Sequence, residues 1–568
     1  MKRLSVFLSV LLLAGCSNEG LLDSTDLDEL TSDKVFTDAE NTRKALYNLY
    51  GNMRDVRNNN SGSFSMLFNM NVTVAMLDNA TDDGAGNTTR NAGVSPGIQK
   101  YITGSISGTS NPLVTEHPWN FFYRAIRNAN IFLAHVDQSP LPASEKQSSA
   151  NQARFLRAYF YHELFRWFGP LVISMAPEDP FAFDTVRRET LQQTVRFIAN
   201  EFDALSAEGA LPDQWDGADY GRVTRTAAMA YKARTLLYAA SPLFQESGVT
   251  WAEAAAAAEE LITYADATQV HRLYVAPGEA EKSYTRYFNE RNNPENILVY
   301  LRAPDNDLYN LFPAFNPWNV NKELTTVPTQ WLVDAYDMAD GTEPITGYNA
   351  DYSPIINPLS GYDEQDPYAN RDPRFYQTIL HHGATWPSVN KGTATVDLTT
   401  PNNWGSGYFL VKYLDDRIDH RDNGKTSMNF IMMRYAEVLL NYAEAVNESL
   451  DDASARQAAV EQLNRIRARA GITTPLSAAD YTQATLRERI RKERRVELCF
   501  EEHRFFDIRR WQIAHDVMNR PAIGIDVENG KFVRKVLDQR SYNKRMNLSP
   551  VPVAEVNNAP LIYQNPGY

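Results

Sequence analysis

Between residues 38 and 53, apolar side chains return at Ala45, Leu46, Leu49 and Tyr50. That three-and-four spacing lines one side of a helix. Thr37 stands where such a helix takes its N-cap. The same rhythm runs from Phe121 to Val136 through Phe122, Ile126, Ala129, Ile131 and Leu133. It recurs from Gln152 to Phe168 through Phe155, Leu156, Tyr159, Phe160, Leu164 and Trp167, and Gly169-Pro170 predicts its end. Thr226–Tyr238 and Trp251–Tyr264 are alanine-rich helices, and the run Ala254–Ala258 suits close approach of two helices. Residues 265–430 break the rhythm: Pro, Asn, Asp, Gly and aromatics crowd together around short extended runs such as Ile297–Tyr300 and Tyr408–Lys412. Long irregular stretches inside a compact protein usually carry function. Helical spacing resumes at Met432–Val446, Ala453–Ala470 and from Thr482 onward.

The pair Arg434–Ala445 and Ala458–Ala470 alternates small and large residues as a tetratricopeptide hairpin does, and the wider chain reads as several degenerate units of that kind. The fold class is therefore mainly α: a tetratricopeptide-like scaffold of helix pairs with an irregular, loop-rich region.

The N-terminus follows a different logic. Lys2 and Arg3 precede an apolar run, Leu4–Leu13, which falls short of the roughly 20 residues a spanning helix needs. Leu13-Ala14-Gly15-Cys16 then resembles a bacterial lipobox, with small residues at the cleavage point and a thiol to acylate. Residues 1–15 are expected to be a lipoprotein signal peptide, and residues 16–34 the acylated Cys16 and a polar, flexible tether. A multiply acylated cysteine anchors a protein stably to a membrane surface. Length alone would allow two or three domains, and the chain reads as helical over 35–264, loop-rich over 265–430, and helical with a tail over 431–568.

Composition narrows the function. Lys plus Arg number 56 against 70 Asp plus Glu, a balance of −14. An acidic chain repels phosphate backbones, so nucleic acid is not the expected partner. The 29 Tyr, 26 Phe and 9 Trp exceed the needs of one core and leave some for a recognition surface. Two cysteines exclude a disulfide framework, and Cys499, between Leu498 and Phe500, reads as a small buried hydrophobe.

Residues 490–511 mix charges of both signs with Phe and Trp. On a helix that bends near Glu501, Arg489 faces Glu493, Arg494 faces Glu497, Glu501 faces Arg504 and Asp507 faces Arg510. Local compensation of this kind argues for a scaffold with ionic networks, rather than a catalytic acid and base or an RNA-binding face. Elsewhere, His162-Glu163 lacks the second histidine of a zincin, and there is no G-x-S-x-G elbow, P-loop or Cys/His cluster. Asp78–Gly84 lacks the ligand spacing and terminal Glu of a calcium loop. No catalytic residue, metal or cofactor is expected.

The same charged run carries a resemblance. Ile490-Arg-x-Glu-Arg-x-x-Glu-Leu-x-x-Glu, followed by His503-Arg504-Phe-x-Asp507-x-Arg-Arg-Trp511, resembles the signature of the SusD/RagB family of surface nutrient-binding lipoproteins. So do Phe155–Tyr161, Pro328–Gly341, Arg434–Ala445, Asn547–Glu555 and the ending Gln564–Tyr568. Where the family often has glycine after the glutamate matching Glu501, this chain has Glu502, which puts a tight turn there in doubt.

The resemblance implies a single domain over residues 35–568 with a loop-rich region carrying a ligand site, an outer-membrane location at the cell surface, and a SusC-like TonB-dependent transporter as partner. The implied cargo is a glycan, or a peptide for some members. A sugar presents C–H faces to aromatic rings and hydroxyls to polar side chains. Trp318, Tyr309, Trp386 and Trp404 are the candidate stacking residues, and Asp78, Asn79 and Arg90 the candidate hydroxyl partners. A shallow site of this kind binds at roughly µM to mM, or about −8 to −4 kcal/mol. The alternatives are a peptide-binding nutrient lipoprotein, for which the acidic balance favours basic cargo, and a surface glycoside hydrolase, which needs two carboxylates about 5–10 Å apart.

Overall fold

The computed structural model describes residues 35–53, 76–86, 96–109, 117–177, 184–301, 326–387, 392–399, 405–418 and 429–568. Its long elements are helices, and their ends follow local chemistry. α1 (Ala39–Gly51) is capped by Asp38, whose carboxylate accepts from the Asn41 amide at 2.8 Å, so the cap lies one residue after the expected Thr37. α2 (Pro118–His135) begins ahead of its apolar repeat. His117 caps it, and Pro118 occupies the first turn, where a missing amide donor costs nothing. α3 (Ala143–Phe168) stops at Gly169, whose φ of +73° suits glycine, as the Gly-Pro pair predicts. α4 (Leu191–Ser206) and α6 (Trp251–Thr268) open with capping boxes, Thr190 with Gln193 and Thr250 with Glu253. Thr224 caps α5 (Arg225–Ala240).

Neighbours in sequence are neighbours in space. α2 packs on α3, α3 on α4, α4 on α5, and α5 on α6. α6 packs in turn on α7 (Tyr435–Ser449), which also meets α8 (Ala453–Arg469) and α9 (Gln483–Glu497). Ala254, Ala255, Ala257 and Ala258 are buried, and their small side chains let α6 approach both α5 and α7. This is the helix-pair scaffold of the tetratricopeptide-like class. None of the described helices is long and apolar enough to cross a membrane.

The strands are short and paired in twos, all antiparallel: β1 (Gly84–Ala85) with β3 (Val327–Pro328), β2 (Asn296–Tyr300) with β8 (Phe430–Arg434), β4 (Ile345–Tyr348) with β5 (Pro354–Ile356), β6 (Ile379–Leu380) with β7 (Phe409–Leu410), and β9 (Ala522–Glu528) with β10 (Lys531–Asp538). The helix expected from Met432 begins only at Tyr435. Val299 and Leu298 pair with Ile431 and Met433, so β2 satisfies the backbone of β8 before the helix can start.

The charged run is two helices. After α9 the chain turns through Phe500 (φ +60°) and Glu502 (φ +67°) into α10 (His503–Arg510). The turn is therefore made with glutamate in the left-handed region. Arg489–Glu493 (3.0 Å) and Arg510–Asp507 (2.8 Å) pair locally as expected. The other two expected pairs are replaced by long-range ones. Arg494 donates to Asp507 at 2.7 Å, and Arg504 and Arg495 grip Asp82 at 2.8 and 3.0 Å. Glu497 is fully buried and accepts from Arg434 (2.7 Å), Arg374 (3.1 Å) and Arg469. Arg434 also reaches Glu295 (2.8 Å) and Glu501 (2.7 Å). Burial alone would push the Glu497 carboxyl up, but Arg469, Arg434 and Arg374 together hold it below the usual carboxylate range. Cys499 is buried, as expected, with Tyr336 Oη 3.4 Å from its sulfur.

Candidate ligand-binding site

Trp386 lies in the loop-rich middle, on the excursion that leaves β6 and returns through β7. The excursion is folded on itself: Gly383 N donates to Val396 O at 2.8 Å, Val396 N to Ala384 O at 2.9 Å, and Thr385 bridges Thr395. Trp386 is half-buried on the edge of the core, so part of its indole meets solvent. The excursion begins at a cluster of rings. His381 stacks on Tyr368 with centroids 4.0 Å apart, His382 meets Phe532 edge-on at 5.8 Å, and Phe375 lies 5.5 Å from His381. Tyr376 is 44% exposed while its hydroxyl donates to Tyr368 O at 2.6 Å, which fixes a ring that solvent can reach. Burial lowers His381 to about 4, against a smaller upward pull from its bond to the His382 carbonyl, so the ring is neutral at pH 7. Partly exposed rings held at fixed angles on a neutral base are suited to receiving the C–H face of a sugar.

Tyr376 and His382 were not among the sequence candidates. Their signal is weak, because Phe375-Tyr376 and His381-His382 sit in a segment whose hydrophobic pattern has no period. Trp318, Tyr309, Trp404, Arg90 and Cys16 lie outside the described residues.

Asp78 and Asn79, expected to bond ligand hydroxyls, are placed elsewhere. Both are fully buried in a short 3-10 turn, Met76–Ala80. Asn79 Nδ2 donates to Thr326 Oγ1 at 3.1 Å, and the following Asp82 and Asp83 hold Arg504 and Arg495. Burial first, then the Asp83 and Glu502 carboxylates, push the Asp78 carboxyl well above its ordinary value. The acidic composition that resembled an exposed polar turn instead anchors α9 and α10 to β1. Gly84 belongs to this anchor: a Cβ there would lie 2.7 Å from Asp78 O.

The acidic side chains of the signature are buried and ion-paired. Glu493, Glu497 and Glu501 are all held as ions by buried cations. Among the described residues no group of His, Cys, Asp and Glu is arranged to hold a metal ion.

Comparison with known proteins places this arrangement. The SusD family profile matches residues 279–568, and a second profile, described as starch-binding associating with outer membrane, matches residues 26–237. SusD-like protein P2 of Formosa agariphila is 25% identical, with all of both chains covered. The crystal structure of a SusD-like protein from Bacteroides fragilis superposes with a TM-score of 0.75 at 26% identity, covering 95% of this chain and 99% of that one. A SusD-like carbohydrate-binding protein from the same species shares the fold, with a TM-score of 0.68 at 21% identity over 93% of this chain and 100% of that one. The chain belongs to the SusD family.

Proposed function

We propose that this protein is a cell-surface glycan-binding lipoprotein. Held to the outer membrane by acyl chains on Cys16, with residues 17–34 as tether, it captures oligosaccharide or polysaccharide and passes it to a SusC-like TonB-dependent transporter. Trp386 and the candidates Trp318, Tyr309 and Trp404 supply stacking surface. Arg90 remains the candidate hydroxyl partner, whereas the burial of Asp78 and Asn79 argues against that role for them. The observation that carries the reading is membership of the SusD family along nearly the whole chain, with a carbohydrate-binding protein among the structures that share its fold. Binding without turnover fits the buried, ion-paired state of the signature carboxylates.

The experiment is calorimetry of the purified domain against a glycan panel, repeated with Trp318, Tyr309, Trp386 and Trp404 all changed to alanine, with released reducing ends measured alongside. Capture at roughly µM to mM that disappears in the fourfold variant is expected. Unchanged capture would refute the aromatic surface, and steady release of reducing ends would refute a binding role. A protein that ignores glycans but retains basic peptides would overturn the choice of cargo.

A further inference from the structure

A cavity lies apart from the aromatic excursion. It has a volume of about 340 Å³ and opens between the α4–α5 connection, the chain after α6 and the start of β2. It shares no lining residue with the cluster around Tyr368. Its walls are fixed by hydrogen bonds. Trp215 Nε1 donates to Val223 O at 2.9 Å, and Tyr220 Oη donates to Arg291 O at 2.9 Å while accepting from Asn296 Nδ2 at 3.1 Å. The His271 ring spans Thr226 Oγ1 (2.9 Å) and Pro294 O (3.2 Å). Gly221, at φ +93°, lets the connection pass so close to Leu301 that a Cβ would lie 2.8 Å from Leu301 Cδ1.

The chemistry of the lining is specific. Asp213 Oδ2 accepts from Tyr264 Oη at 2.6 Å, while its other oxygen, Oδ1, is buried and has no protein partner among the described residues. Gln214, Arg272 and Asn292 line the same cavity with solvent-exposed side chains. Charge is nearly balanced: Asp213 and Asp216 face Arg222 and Arg272, and Arg222 is already paired with Asp219 at 2.6 Å and lies over the Trp215 ring at 5.3 Å. A strongly charged ligand gains little here. A neutral polyhydroxyl ligand meets two rings and several amide or guanidinium donors. The volume sits at the lower end of the roughly 300–1,000 Å³ usual for small-ligand pockets, which suits a chain end or a short stretch of chain.

We propose that this cavity is a second saccharide-binding site, with Trp215 and Tyr220 against the C–H faces and Gln214, Arg272 and Asn292 bonding the hydroxyls. The inference rests on the glycan reading of the protein and adds a site to it. Two sites on one chain would hold a long glycan at two points, so the second contact forms at high effective concentration.

The test is calorimetry of the intact domain with oligosaccharides of increasing length, for the wild type, Trp215→Ala, the double variant Gln214→Ala/Asn292→Ala, and Trp386→Ala. The double variant alters only exposed side chains and so guards against a folding artefact. Two sites per chain in the wild type are expected. Trp215→Ala and the double variant should each weaken one of them about tenfold or more, and that same site should persist in Trp386→Ala. If both cavity variants leave every isotherm unchanged, in the wild-type and Trp386→Ala backgrounds alike, the second site is overturned and the proposed function stands. A wild type that binds no saccharide at all overturns both.

Discussion

Replacing Glu497 with glutamine tests whether the family signature is an ionic frame. The substitution keeps size, removes one buried negative charge and exchanges one acceptor oxygen for an NH2 donor that must face a guanidinium. Three guanidiniums lose their shared counter-ion: Arg434 at 2.7 Å, Arg374 at 3.1 Å, and Arg469. At an effective dielectric of about 20, each unit pair near 4 Å attracts by about 4 kcal/mol, and desolvation together with repulsion among the three cations offsets most of the total. None of the three is stranded, however. Arg374 keeps Asp372 (2.8 Å) and Glu493 (2.6 Å), Arg434 keeps Glu295 and Glu501, and Arg469 keeps Glu295 (2.9 Å). The cost therefore falls at the lower end of the range for breaking a buried pair, about 3 kcal/mol out of roughly 3–5. That is a large share of a typical stability of about 5–15 kcal/mol. Denaturant unfolding followed by circular dichroism at pH 7 measures it, with Glu40→Gln as control, because the Glu40–Lys44 pair is 74% and 65% exposed and screened by solvent. The sign of the pH dependence provides a second reading. A carboxyl whose folded pKa is depressed stabilises above its unfolded value, and that stability is lost as pH falls through the folded one. The glutamine variant should lose less than the wild type on acidification. A cost under about 1 kcal/mol, equal to that of the exposed control, would refute the frame.

Two further predictions follow from other parts of the structure. Gly407, at φ +82°, passes so close to β9 that a Cβ would overlap Ile525 O and lie 2.8 Å from Ile525 Cγ2, so Gly407→Ala should cost at least about 2 kcal/mol in the same unfolding assay; a neutral result would mean that this approach is not held in solution. Burial lowers His117 to about 3, and His271 and His381 to about 4, so the unfolded chain binds more protons than the folded one and stability should fall as pH drops from about 6.5 to about 4. His381→Phe, which keeps a ring against Tyr368, should flatten that slope, and an unaltered slope would exclude His381 as a contributor.

The sequence was most legible where structure is decided locally. Gly169-Pro170 ends α3 because glycine alone adopts that backbone without strain, and the alanine run of α6 is buried because nothing bulkier fits between two helices. Legibility failed where a distant partner decides. Met432 and Met433 fit a helical period, yet β2, more than a hundred residues earlier, draws them into a strand. Arg494 and Glu497 stand three apart on one helix, yet each finds its partner elsewhere, in Asp507 and in Arg434 with Arg469. Asp78 and Asn79 have the composition of a solvated turn, and only the approach of Thr326, Arg495 and Arg504 shows them to be interior. The ring cluster at Tyr368, Phe375 and His381 comes from residues within one short aperiodic segment, so no spacing announced it.

The last part of the chain clasps the first. Arg540 donates to the carbonyls of Thr81 and Gly84, Ser541 N to Ile102 O at 3.0 Å, and Tyr101 bonds Ser549 at 2.7 Å. Arg188 donates to Tyr563 O and to Asn565 Oδ1, at 2.8 and 2.9 Å. In a chain emerging N-terminus first, α2 to α6 can pack as they are made, but the segments around Thr81, Ile102 and Arg188 gain these partners only when nearly all of it has been made. Loop closures this long slow folding, so the return of the tail is a late and slow step that fastens helices able to pack before it.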